Sequence, residues 1–90
     1  MRLYLIIQDL DRLYGVYLTR ALIMASTMDE AIKAVLSLNE HQGSWCLKVE
    51  KDRLSVTDLG PVPTNIDPNP VLRCNDAKFL IISSGEDYDN

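Results

Sequence analysis

Histidine is almost absent from this chain, and cysteine is scarce. The 90 residues hold one histidine, His41, and two cysteines, Cys46 and Cys74. Only one side chain therefore has an ordinary titration near neutrality. His41 sits in a polar stretch, Asn39 to Ser44, with the solvated Glu40 as its neighbour and no nucleophilic context. Metal centres need clustered His, Cys or carboxylate ligands at defined spacing, which one histidine and two distant cysteines do not supply. No phosphate-binding loop, dinucleotide fingerprint or nucleophile elbow is present. The expectation is a chain without catalytic residues, metal or cofactor, whose function survives His41→Ala.

Basic residues are also in the minority, 9 against 13 acidic, for a net charge of −4 and a pI near 4.7. A nucleic-acid binder needs a basic footprint, so direct nucleic-acid binding is not expected. Asp9 and Asp11, Asp29 and Glu30, and Glu50 and Asp52 form acidic pairs. Arg12, Lys33, Lys51 and Arg53 are interleaved with them, which is the pattern of a solvated surface and not of a phosphate mimic. No apolar run reaches membrane-spanning length. Met1 to Ile7 is too short for a secretory signal and has no small-residue cleavage site. A cytoplasmic location follows as the expectation, with both cysteines reduced and packed as small hydrophobes.

What the chain does have is a strand running into a helix. Arg20 to Ala25 is apolar after its first residue, and Ser26-Thr27 breaks it. Thr27 followed by Glu30 is a capping-box pattern. Met28, Ala31, Ile32, Val35 and Leu38 then recur at helical spacing as one apolar stripe. Asp29 and Glu30 fall in the first turn, where the helix dipole favours negative charge.

Leu3 to Gln8 is apolar at nearly every position and reads as a central strand. Gly15 allows a left-handed turn or bulge before Val16 to Ala25, so the first two strands form an antiparallel hairpin. Trp45 to Glu50 alternates, with Trp45, Leu47 and Val49 on one face. Lys51 to Arg53 then turns the chain into Leu54 to Leu59 as a second hairpin. Trp45 is expected to cap the helix–sheet core. All four prolines lie in Gly60 to Pro70, an extended crossing. Val71 to Cys74 reads as an edge strand, and Lys78 to Ile82 is a last apolar run of strand or helix. The expected fold class is α+β: one α-helix packed on an antiparallel β-sheet of about four to six strands. Residues 1–84 form the single domain, and 85–90 form a flexible acidic tail.

Tyrosine supplies the remaining signal. Tyr14 and Tyr17 flank Gly15, and Tyr4 lies on the neighbouring strand. Aromatics around a glycine turn make a recognition patch, whereas cross-strand packing is the ordinary use of Tyr4 and Tyr17. With Asp9, Asp11, Arg12 and Arg20 they are the candidate binding set.

Leu3-Tyr-Leu-Ile-Ile-Gln-Asp9, Tyr14-Gly-Val-Tyr17, Arg20-Ala-Leu-Ile-Met-Ala25 and Glu30-Ala31 together resemble a family of small uncharacterised bacteriophage proteins. Their pattern is a YLIxQD-type strand, a Tyr-Asp-x-Tyr-Asp turn, an Ala-Val-Val-x-Ala strand and a Glu-Ala helix. Val56 to Gly60 and Val71-Leu72 fit its later strands, so the resemblance covers residues 3 to 77. Gly15 and Leu18 stand where the family has aspartates. The layout is also similar to a small type I anti-CRISPR protein with one helix on an antiparallel sheet. The resemblance implies a phage origin and a non-enzymatic inhibitor of a host defence protein or complex, acting by protein binding and site occlusion. The alternative is an oligomeric small-ligand binder that sequesters a nucleotide signal with Tyr14, Tyr17, Arg12 and Arg20. Unpaired edge backbone beside Phe79, Leu80, Ile81 and Ile82 points to a homodimer through that strip.

Overall fold

The computed structural model describes residues 1–9, 15–39, 47–63, 70–74 and 76–87. One helix packs on a five-stranded antiparallel sheet, the expected α+β class. The strands are β1 (Arg2–Gln8), β2 (Gly15–Ala25), β3 (Leu54–Pro61), β4 (Leu72–Cys74) and β5 (Ala77–Asp87), in spatial order β3-β1-β2-β5-β4. Helix α1 (Met28–Leu36) lies against β2 and β5 and tightens into a 3-10 turn over Ser37–Asn39.

Gly15 opens β2 at φ 97, the left-handed region that glycine occupies without a side-chain clash. β1 lies inside the sheet, hydrogen-bonded on both edges, between β3 and β2. β4 lies at an edge as expected, and β3 is the other edge. Pro61 ends β3 there, where a missing N–H costs no ladder bond to a further strand.

Thr27 caps α1: its hydroxyl accepts from the Glu30 N–H at 3.2 Å. The Glu30 carboxylate reaches back one residue further than a standard box, to the Ser26 N–H at 3.2 Å. The buried face is Ala31, Ala34 and Val35, continued by Leu38. It is rotated from the expected stripe, since Met28 is 43% exposed and Ile32 only half-buried. Ala21, Ala25 and Ala77 are buried in the same cluster. Small side chains on both surfaces let helix and sheet approach closely and leave the bulkier Ile32 at the flank.

The second hairpin does not form. Leu47 and Val49 are buried as the alternation implies, but β3 pairs with β1, and residues 47–50 form no strand. Their backbone groups are satisfied elsewhere. Asn39 Oδ1 accepts from the Val49 N–H at 2.7 Å, and Asn39 Nδ2 donates to the Val49 carbonyl at 2.6 Å. Lys48 exchanges backbone bonds with Val16 and Leu18 of β2, running parallel to it. Buried Gln8 closes the arrangement: Nε2 donates to the carbonyls of Leu18 (2.7 Å) and Lys48 (3.1 Å), and Oε1 accepts from the Glu50 N–H (2.7 Å). A buried amide that satisfies three backbone groups replaces a ladder.

Two further expectations change. Gly85 to Asp87, expected in the tail, belong to β5 and pair with Gly15 to Tyr17 of β2. Gly60 and Pro61, expected in the crossing, are the last two residues of β3: Gly60, at φ 100, follows a bulge opposite Leu3/Tyr4, and Pro61 pairs with Arg2. Trp45, Cys46 and His41 lie outside the described residues.

Candidate interaction face

Cross-strand partners share one face of a sheet, so the register sorts the side chains into two sets. The row Tyr4, Ile23, Phe79, Leu72 and the row Ile6, Ala21, Ile82 belong to the helix side. Tyr4 is 3% exposed and Ile6, Ile23 and Phe79 are fully buried. The alternate positions form three rows on the other side. The first is Leu3, Met24, Lys78 and Arg73; the second is Thr57, Leu5, Leu22 and Ile81; the third is Ser55, Ile7, Arg20 and Ser83.

None of these residues belongs to the buried helix–sheet cluster or packs against it. No described helix covers them. Ile7 is 46% and Ile81 52% exposed, while Leu3, Leu5 and Leu22 are half-buried. Met24, at 7%, is the most buried of them. Among the described residues no second layer of helix or strand lies on this side, whereas a sheet normally buries its apolar side against another layer.

A β-bulge decides which residues of β5 reach this face. Leu22 pairs with Ile81 but Ile23 pairs with Phe79, so Leu80 is the extra residue. Phe79 consequently points into the core and Ile81 away from it. This corrects the expected self-association strip. Phe79 is fully buried, Ile82 packs against the core, Leu80 is half-buried, and only Ile81 is openly exposed.

The expected binding set is only partly described. Tyr14, Arg12 and Asp11 lie outside the described residues. Tyr4 and Tyr17 do not pair across the hairpin: Tyr4 faces Ile23 in the core, and Tyr17 is opposite Gly85. The Tyr17 ring lies over that glycine, where an added Cβ would come within 2.8 Å of it. Arg20 is exposed in the third row. Asp9 is exposed just past β1, its N–H bonded to the Arg53 carbonyl at 2.9 Å. Sequence reading missed Leu3, Leu5, Ile7, Leu22 and Met24 as a surface. Their signal was the near-continuous apolar character of Leu3 to Ile7 and Ala21 to Ala25, which implies burial on two faces.

Arg20, Lys78 and Arg73 are the only charged residues in the three rows, and none makes an ion pair among the described residues. The ion pairs present lie elsewhere. Arg2 Nε donates to Asp58 Oδ2 at 2.9 Å, and Arg53 Nε to Glu50 Oε2 at 2.9 Å. The Arg2 hydrogen bond, followed by the Gly60 N–H, holds the Asp58 carboxyl below its ordinary value. Among the described residues no group of His, Cys, Asp and Glu is placed to hold a metal, and no helix is long and apolar enough to cross a membrane. Comparison with protein-family models, curated proteins and solved structures finds no match to this chain.

Proposed function

We propose that the chain is a non-enzymatic binding protein, a phage-encoded inhibitor of a host defence complex that acts by docking and occluding a site. The open apolar face of the sheet, centred on Leu5, Leu22 and Ile81, carries this reading. A surface of that kind is costly to leave in water and gains free energy when a partner covers it. The resemblance of Leu3 to Asp9 and of Tyr14 to Tyr17 to small phage proteins supports the defence setting. Expression of the chain in a bacterium with an active type I CRISPR system tests it. The expected result is a raised plaquing efficiency, co-purification of a defence subunit, and loss of both on Ile81→Glu. Unchanged plaquing with no defence subunit captured refutes the reading.

A further inference from the structure

The charges around the open face restrict what can cover it. The chain carries a net charge of −4, yet the three rows of this face contain three cations and no carboxylate. Lys78 and Arg73 lie side by side at the β5–β4 end of the first row, and Arg20 lies in the third. The Leu5, Leu22 and Ile81 row thus has positive charge on both of its sides. A second copy brings no carboxylate in its own three rows to meet these cations, so face-to-face pairing opposes like charges. An anionic lipid surface repels the chain as a whole.

The area is informative too. At about 4.8 Å between strands and about 3.3 Å per residue, five strands over the seven residues of β1 offer at most about 24 by 23 Å, or about 550 Å², and β4 with three residues fills only part of its share. A standard protein–protein contact takes about 800 Å² per partner, so this face alone suits a single element better than a whole domain. A helix about 10–12 Å across and about 15 residues long spans it. Such a helix would complete the second layer that α1 provides on the other side.

Resting on the reading of the chain as a binding protein, we infer that this face receives an amphipathic helix of the partner whose apolar stripe is flanked by carboxylates. The stripe covers Leu5, Leu22 and Ile81, and the flanking carboxylates meet Arg20 on one side and Lys78 and Arg73 on the other. Recognition follows helix-in-groove logic, with apolar anchors for affinity and the cations for orientation and selection.

The test uses two fluorescent helical peptides of about 16 residues, long enough to span the face. Each has a leucine stripe, flanked by glutamates in one and by lysines in the other. Fluorescence anisotropy with the full chain at low salt should show the glutamate peptide binding at least about tenfold more tightly than the lysine peptide, with the difference shrinking as salt rises. Ile81→Glu should abolish binding, and Arg20→Glu with Lys78→Glu should reverse the preference, both with an unchanged circular dichroism spectrum. Ile81 and Arg20 are exposed, so their replacement leaves the core intact. No binding of either peptide, equal binding of both, or binding indifferent to Ile81→Glu overturns the inference. So does a wild-type dimer in sedimentation that Ile81→Glu dissociates, or a preference for anionic vesicles over the glutamate peptide. Failure of the peptides while a defence subunit is still captured in an Ile81-dependent way overturns the partner's chemistry alone. Loss of both overturns the binding reading itself.

Discussion

Gln8 is the residue on which the irregular part of this molecule depends most. Its amide serves the Leu18 and Lys48 carbonyls and the Glu50 N–H, and among the described residues it is the one polar side chain in the buried set. Gln8→Ala removes three hydrogen bonds and leaves the buried Leu18 carbonyl without this donor, and is expected to cost about 2–4 kcal/mol in urea denaturation. Asp58 behaves differently because it is exposed. Its folded-state pKa is lowered by the Arg2 hydrogen bond and then by the Gly60 N–H, so its stabilising effect is present above the unfolded value of about 3.9. The effect fades as the pH falls through the folded value. A melting-temperature difference between wild type and Asp58→Asn should therefore be seen at neutral pH and vanish in acid. A difference that persists at pH 2 would assign it to something other than this carboxylate. Solvent screening keeps it small at neutral pH.

At the scale of elements, α1 shows how a helix can be located from sequence while its buried face is not. The cap at Thr27 and the acidic first turn are local patterns, and both are present. Rotation about the helix axis depends on the sheet beneath, where the alanines of β2 and β5 admit Ala31 and Ala34. Val35, fully buried, should lose about 2–3 kcal/mol on replacement by alanine, and Phe79 about 3–5 kcal/mol. Half-buried Ile32 should lose about 1 kcal/mol and exposed Lys33 almost nothing. Equal losses at Val35 and Ile32 in chemical denaturation would contradict this helix rotation. Phe79→Asp is expected to unfold the domain, so it cannot report on association; Ile81→Glu is the variant that can.

At the scale of the whole molecule, β5 ties the second half of the chain to the first. It lies between β2 and β4, and its last residues, Ser84 to Asp87, pair with Gly15 to Leu18. Truncation after Ser83 removes that ladder and the cover that Tyr17 shares with Gly85. It is expected to lower the melting temperature by about 5–15 °C, the shift that a loss of one to two kcal/mol produces in a chain of this size. An unchanged melting temperature would mean that this end of the sheet contributes no stability.

The sequence by itself determined the class, the helix and its cap, the central place of β1, the left-handed turn at Gly15 and the edge position of β4. These follow from composition and short-range periodicity, which act within a few residues. Tertiary structure alone decided that β3 pairs with β1 and that Leu47 to Glu50 is held by Gln8 and Asn39 instead of a hairpin. It also decided which side of β5 faces outward. Strict alternation would place Phe79 and Ile81 together, and the single extra residue, Leu80, separates them, one into the core and one onto the open face. Register shifts of this kind depend on the neighbouring strand, because one inserted residue reverses the facing of everything beyond it.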